Sequence, residues 1–295
     1  MKGSASFKTG VKFALILMTG FVLAGIAADK PAGIAPQEAV TLAYQFPAGK
    51  TLSYKESSTQ NQNMDIMGQT MTTVSASSLE FTLNLKGMKG QDFELSAVID
   101  AGMTNADTPQ GSVSTDMSPV IGKGFDMIIS RLGREIDVTG ATALKVDSPN
   151  GGQRDISSTF QPFFPDLPDK AVKVGDTWPS EDMVVQKEGS GETRMKLANQ
   201  NTLDGFETVD GYECARVKVV AKGTLEGNLE QQGMSMTVGM KLDSQGTWYF
   251  AIKEGIYVKS EYKGTLNGTI EVGAPANMSI AMTGETTGQT NLIKK

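Results

Sequence analysis

Leu79-Glu80-Phe81-Thr82-Leu83-Asn84-Leu85 and, beyond a glycine-bounded turn at 87–90, Phe93-Glu94-Leu95-Ser96-Ala97-Val98-Ile99 set the fold class of this chain. Apolar side chains stand at 79, 81, 83 and 85, then at 93, 95, 97 and 99, with polar or small residues between most of them. Successive side chains of a β-strand point to opposite faces, so this spacing gives each run one face for a core. Two such runs across a short turn form an antiparallel hairpin.

The pattern extends both ways. Upstream, Val40, Leu42, Tyr44 and Phe46 alternate as a half-buried strand, and Pro47-Ala48-Gly49 turns the chain. A stretch rich in Ser, Thr, Gln and Asn then runs over 51–64 and returns over 70–85. Downstream, strand-like runs occupy 177–188, 192–202, 212–230, 234–252, 256–271 and 277–290, separated by turn chemistry at 189–191, 203–211, 231–233, 254–255 and 273–276. At about 3.3 Å per residue the longest runs reach roughly 40–50 Å. Strands of that length bend at internal glycines, and Gly223, Gly227, Gly239, Gly246, Gly264 and Gly268 are placed for it. The expected fold is mainly β, with long antiparallel strands in a curved sheet or half-barrel.

Two segments interrupt the alternation. Residues 104–124, with Pro109, Gly111, Pro119, Gly122 and Gly124, read as loop. A helix opened by Ser118-Pro119 competes there with a hairpin pairing 125–130 with 134–138, and the glycines favour the hairpin. Residues 145–175 read as a crossover, with a short helix capped by Asp155 and a proline-rich exit. Its Phe160, Phe163, Phe164 and Leu167 are expected to cover the end of a sheet or a cavity.

Landmarks recur in order along the two halves. Gly49-Lys50-Thr51 answers to Gly175-Asp176-Thr177 (175 − 49 = 126), Leu85-Lys86-Gly87 to Leu203-Asp204-Gly205 (205 − 87 = 118), and Gly133 to Gly255 (255 − 133 = 122). Nearly constant offsets suggest two diverged β-meander repeats, 40–144 and 176–295, joined by the 145–175 crossover.

The stretch Leu167-Pro168-Asp169-Lys170 through Gly175-Asp176-Thr177-Trp178 resembles an uncharacterised family of bacterial secreted β-rich proteins. In these a proline-rich crossover leads into a Gly-Asp-x-Trp strand start. The resemblance covers about a dozen residues. It implies a bacterial envelope protein and carries over no catalytic residues.

Export is expected from the N-terminus. Lys2, Lys8 and Lys12 precede an uncharged run over 13–28, and Gly25 and Ala27 form a small-x-small exit, the pattern of a secretory signal peptide. The run is short for a membrane anchor, which needs roughly 20 apolar residues. No cysteine follows it, which argues against a lipoprotein. Cleavage near Ala27 leaves 28–39 as a flexible leader and a soluble extracytoplasmic chain with no later transmembrane run. The three leader lysines leave 27 − 3 = 24 basic against 33 acidic side chains, a net charge of −9. A surface of that sign repels phosphate, so nucleic acid is not an expected partner.

The residue inventory weighs against catalysis. The chain has no histidine, which removes Ser-His-Asp and Cys-His catalysis and His-ligated zinc. Its lone Cys214 cannot form an internal disulfide and reads as a small buried hydrophobe. Gly49-Lys50-Thr51 lacks the glycine of a phosphate loop, since Tyr44 holds that place. The 147–152 turn lacks a calcium-loop oxygen at Pro149. Asp166, Asp169, Asp176, Glu181 and Asp182 could pair as glycosidase carboxylates, but carboxylates this common read first as solvated loop. The expectation is therefore no enzyme, no catalytic or metal residues and no cofactor.

Methionine is the unusual feature. Of sixteen, Met64, Met67 and Met71 flank one hairpin turn, while Met234, Met236 and Met240 follow another. Three readings stand: packing in a curved sheet, an adaptable apolar surface for a ligand or partner, and thioether ligation of Cu(I). The first has the largest share and the last the smallest, because no histidine or tight Met-x-x-Met array accompanies it. The candidate ligand-binding residues are thus Met64, Met67, Met71, Met234, Met236, Met240, Phe160, Phe163 and Phe164. The expected function is binding of an apolar, lipid-like ligand or an envelope partner on the concave face. A structural or adhesive envelope module is the alternative and an enzyme the third.

Overall fold

The computed structural model describes residues 38–148, 152–231 and 234–293. The expected signal segment 1–27, its cleavage site and most of the leader lie outside these residues. So do 149–151 of the calcium-like turn and 232–233 of a hairpin turn.

Among the described residues fourteen strands form a single sheet. They are β1 (Thr51–Ile66), β2 (Gln69–Lys89), β3 (Asp92–Thr108), β4 (Gly111–Thr115), β5 (Gly124–Ile129), β6 (Glu135–Asp137), β7 (Lys145–Asp147), β8 (Gln153–Asp155), β9 (Thr177–Glu188), β10 (Gly191–Val209), β11 (Tyr212–Gln231), β12 (Met234–Ala251), β13 (Ile256–Val272) and β14 (Met278–Ile293). Their order is β6-β5-β3-β2-β1-β14-β13-β12-β11-β10-β9-β8-β7, with β4 pairing beside β5 on the same edge of β3. Every pair is antiparallel, and the sheet curls into a half-barrel. The stretches 40–144 and 176–295 join in this one sheet through β1 and β14, in register from Ser53↔Ile293 to Asp65↔Ala281.

Curling needs strands to approach closely on the concave side. A Cβ added at Gly223 would lie 1.9 Å from the carbonyl oxygen of Lys196, and one at Gly268 would lie 2.0 Å from that of Gly239. Register shifts near Phe81, Gly87, Gly205 and Phe250 add local bends.

Successive inward rows line the inner face, and three of them set its character. Met71, Met64, Met282, Gly268, Met240, Leu225, Met195 and Val184 face one another in register across β2, β1, β14, β13, β12, β11, β10 and β9. A second row across the same strands is polar: Ser75, Gln60, Thr286, Gly264, Ser244, Ala221, Asn199 and Ser180. Beyond it lies an aromatic floor of Tyr54, Phe81, Phe250 and Tyr257, all buried. The outward face is polar, with Lys55, Thr59, Asn61, Lys263, Thr265, Glu285 and Thr287 exposed. Transmembrane barrels place apolar residues there instead. Among the described residues no helix is long and apolar enough to cross a membrane.

The crossover lies inside the curl. A single helical turn, α1 (Ser157–Phe160), follows Asp155, whose Oδ1 accepts the Ser157 N–H at 2.9 Å. Phe160, Phe163 and Phe164 then enter the aromatic floor. Phe163 meets Phe81 at 4.8 Å and Tyr54 at 5.1 Å between ring centroids, and Phe160 meets Phe125 at 4.7 Å. The crossover therefore covers the aromatic floor of the concave face.

Four local readings differ from the structure. Residues 203–209, read as turn, continue β10 past a register shift at Leu203/Gly205, and 145–147 and 153–155 of the crossover pair as β7 and β8. Residues 104–108 and 111–115, read as loop, are strand: β3 runs to Thr108 and β4 returns along it. Their inward positions are held by Thr104, Ala106 and Thr115, too small or polar to register as an apolar period. Residues 40–46 alternate as read, burying Leu42, Tyr44 and Phe46, but they form no ladder. The segment makes one bridge, Val40 to Val172, and its backbone otherwise bonds to loop carbonyls of Arg131 and Gly255. The hairpin at 125–138 is present as β5 and β6.

Candidate functional site

β6 and β7 end the sheet on opposite sides, yet only residues 138–144, including one 3-10 turn (Thr139–Ala143), connect them. The two ends of the curled sheet are thereby brought to face each other across a seam. A cleft of about 620 Å3 lies there, lined by Arg134 just before β6, Glu135 of β6, Gln161 and Asp166 of the crossover, and residues 179–183 of β9. That volume suits a small molecule.

Behind the cleft is a chamber of about 30 Å3 that shares Asp166, Ser180 and Asp182 with it. Asn199, Asn201, Trp248 and Phe164 form part of its remaining wall. These polar groups come from inward positions of β9 and β10, where neighbours such as Met195, Leu197 and Leu203 are core. Period 2 forces Asn199 and Asn201 inward with them, and burial obliges them to find partners. Asn199 Nδ2 donates to Asp182 Oδ2 at 2.7 Å and to Ser180 Oγ at 3.3 Å. Asn201 Nδ2 donates to Ser180 Oγ at 3.1 Å, and Trp248 Nε1 donates to Asn201 Oδ1 at 3.3 Å. Trp178 Nε1 holds the crossover in place through the Asp166 carbonyl at 3.0 Å. Asn199 is 7% exposed, and its Oδ1 has no partner.

The carboxyl groups here are poorly solvated. Burial, then the charge of Asp182, pushes Asp166 up to about 6, against a smaller opposing pull from Arg134. Burial also raises Asp182, with the Asn199 bond opposing. Glu135 is raised well above the usual range by burial, although its Oε1 accepts the Phe164 N–H at 2.8 Å. The site thus gathers acceptors that hold protons above ordinary carboxylate values. Among the described residues no group of three or more His, Cys, Asp or Glu side chains is placed to hold a metal ion.

The structure divides the nine candidate residues drawn from the sequence. Met64, Met236 and Met240 are buried in the core, and Met71 and Met234 are half-buried. Met67 is 88% exposed at the tip of the β1–β2 turn, with φ +54°. Phe160, Phe163 and Phe164 pack against the protein's own rings. None of the nine except Phe164 lines the seam cleft or its chamber. Asp166 and Asp182, read from sequence as solvated loop, are brought together there. The available signal was a pair of asparagines at inward positions of an otherwise apolar alternation, Met195-x-Leu197-x-Asn199-x-Asn201-x-Leu203.

No family model and no curated protein matches the chain. Among solved structures, the crystal structure of an outer membrane channel from Pseudomonas putida F1 aligns with 90% of this chain and 100% of its own, at 9% identity and a TM-score of 0.27. A likeness of that degree carries no functional argument.

Proposed function

We propose that the protein is an exported, extracytoplasmic binding protein, not an enzyme, that holds a small ligand in the seam of its half-barrel. One observation carries the reading: the cleft opens onto a buried polar chamber in which the Asn199 amide oxygen is unpaired. A buried acceptor without a partner costs about 1–3 kcal/mol, and a ligand donor would recover it. The seam takes the place of the concave face as the binding locus, because the crossover aromatics cover the aromatic floor of that face. The basic, apolar and small-residue segments of the N-terminus support export, and the water-facing outer surface suits a soluble protein.

Native mass spectrometry of protein recovered from its own envelope tests this. The expected result is a bound mass on the wild type that is lost in Ser180→Phe, whose ring would fill the cleft mouth, with the far-UV circular dichroism unchanged. A clean apo mass for the wild type, with crosslinking in intact cells returning one constant protein neighbour, would replace this reading with a structural envelope module.

A further inference from the structure

Among the described residues four carboxyl groups line the seam against a single guanidinium. Arg134 comes from just before β6, Glu135 from β6, Asp166 from the crossover, and Glu181 and Asp182 from β9, while β13 adds the Tyr257 phenol. β10, β11 and β12 contribute Asn199, Asn201, Val219 and Trp248, none of which titrates. The amide of Asn199 is oriented by its own bonds, because Nδ2 donates to both Asp182 and Ser180. Its buried Oδ1 is left as an acceptor with nothing to accept. The unmet need of the chamber is therefore for hydrogen-bond donors that also carry positive charge.

We propose that the chamber seats a primary ammonium group and that the ligand of the seam is a small aliphatic amine, an inference that rests on the seam being the binding site. The chamber, about 30 Å3, has room for one or two water-sized groups, which fits an ammonium and excludes guanidinium or quaternary heads. An ammonium brings three donors, matching Asn199 Oδ1 and the carboxylates of Asp182 and Asp166. Pro162, Phe164 and Pro165 supply apolar wall for the adjoining methylenes. A hydroxyl of the same size would bring one donor and no charge. Asp166 and Asp182 hold their protons above the ordinary range, so at acid pH a cation entering between them displaces protons.

Isothermal titration of the full chain with n-butylamine and 1,4-diaminobutane, in phosphate and in HEPES at pH 7.5, tests the proposal. Expected are saturable amine binding at pH 7.5, with a heat that differs little between the buffers, and an affinity lower by about tenfold or more at pH 5, where Asp166 holds its proton. Asp182→Asn and Asn199→Leu should each weaken binding by about tenfold or more, the scale of a lost charge-assisted hydrogen bond. n-Butanol and tetramethylammonium should not bind. Equal binding of n-butanol or tetramethylammonium, or no amine binding while Ser180→Phe still removes the native ligand, would overturn the amine class and leave the seam as a site. Absence of that native ligand from the wild type would instead overturn the site itself.

Discussion

Tyr54 Oη donates a hydrogen bond of 2.8 Å to the backbone carbonyl of Tyr257, and the two phenol rings stack with centroids 5.9 Å apart. The contact ties β1 to β13, two positions away in the sheet, and so braces the curl where the N- and C-terminal halves meet. Tyr54 is buried, so Tyr54→Phe leaves that carbonyl without this donor while keeping the ring. The expected loss is about 1–3 kcal/mol, read as a lower urea midpoint with an unchanged m-value. A midpoint equal to the wild type would show that the hydroxyl does not brace the curl.

Close strand approach on the concave side makes an equally specific claim. Gly268 faces the carbonyl of Gly239 so tightly that a Cβ would sit 2.0 Å from its oxygen, whereas a Cβ at Gly239 itself meets nothing within 4 Å. Gly268→Ala should therefore cost about 3 kcal/mol, because backbone cannot move aside as a side chain can. Gly239→Ala should stay within about 0.5 kcal/mol of the wild type. Thermal melts of the two variants check the contrast.

These glycines also show how far the sequence could be read. Alternation at 79–85 and 93–99 identified the strands, and glycine spacing identified bending, because both are local properties of backbone and pleat. Strand order was not legible, since β1–β14 pairing joins residues at opposite ends of the described chain. The seam is harder still. Asp166 reads as one loop carboxylate among many until the crossover and β9 place it opposite Asp182. Asn199 and Asn201 were the one local clue, as polar residues on a core-facing period.

The crossover aromatics and the hairpin-tip methionine separate in the same way. Phe163 is buried against Tyr54, Phe81, Phe164 and Tyr257. Phe163→Ala should cost about 3–5 kcal/mol through the cavity it leaves. Met67→Ala, at a side chain almost wholly in water, should leave the urea midpoint unchanged. Comparable losses at both positions would mean that the tip methionine is covered in solution.

Cys214 is buried on β11, and burial pushes its thiol up to about 12, with the nearby Glu254, Glu207 and Asp210 charges adding to the rise. The thiolate is the reactive species, and both its fraction and its access are suppressed. Ellman's reagent at pH 8 should leave the native protein unlabelled and titrate one thiol in 6 M guanidinium. Rapid native labelling would place Cys214 at an opening that this fold does not have.

Glu56 gives the sharpest pH dependence. It lies on the inner face of β1 beside a cavity of about 70 Å3 shared with Thr104, Arg154 and Ser158, and its Oε2 has no hydrogen-bond partner. Burial pushes its carboxyl from 4.5 up to about 7. Between those values the native state keeps a proton that the unfolded chain has already lost, so rising pH favours unfolding. The stability from neutral Glu56 is whole below about pH 4.5, declines through the window and is gone above about pH 7, a change on the order of 3 kcal/mol. Asp166, Asp182 and Glu135 are raised in the same direction, so the wild-type profile sums several groups. Glu56→Gln isolates one of them, because the amide keeps the shape of the neutral acid and cannot ionise. Urea unfolding of both proteins from pH 4.5 to 8 should show little difference at the acid end. The Gln variant should become the more stable by about 3 kcal/mol at pH 8. A difference that does not vary with pH would mean that Glu56 is ionised and paired in the native state, and that the inner face accepts its charge.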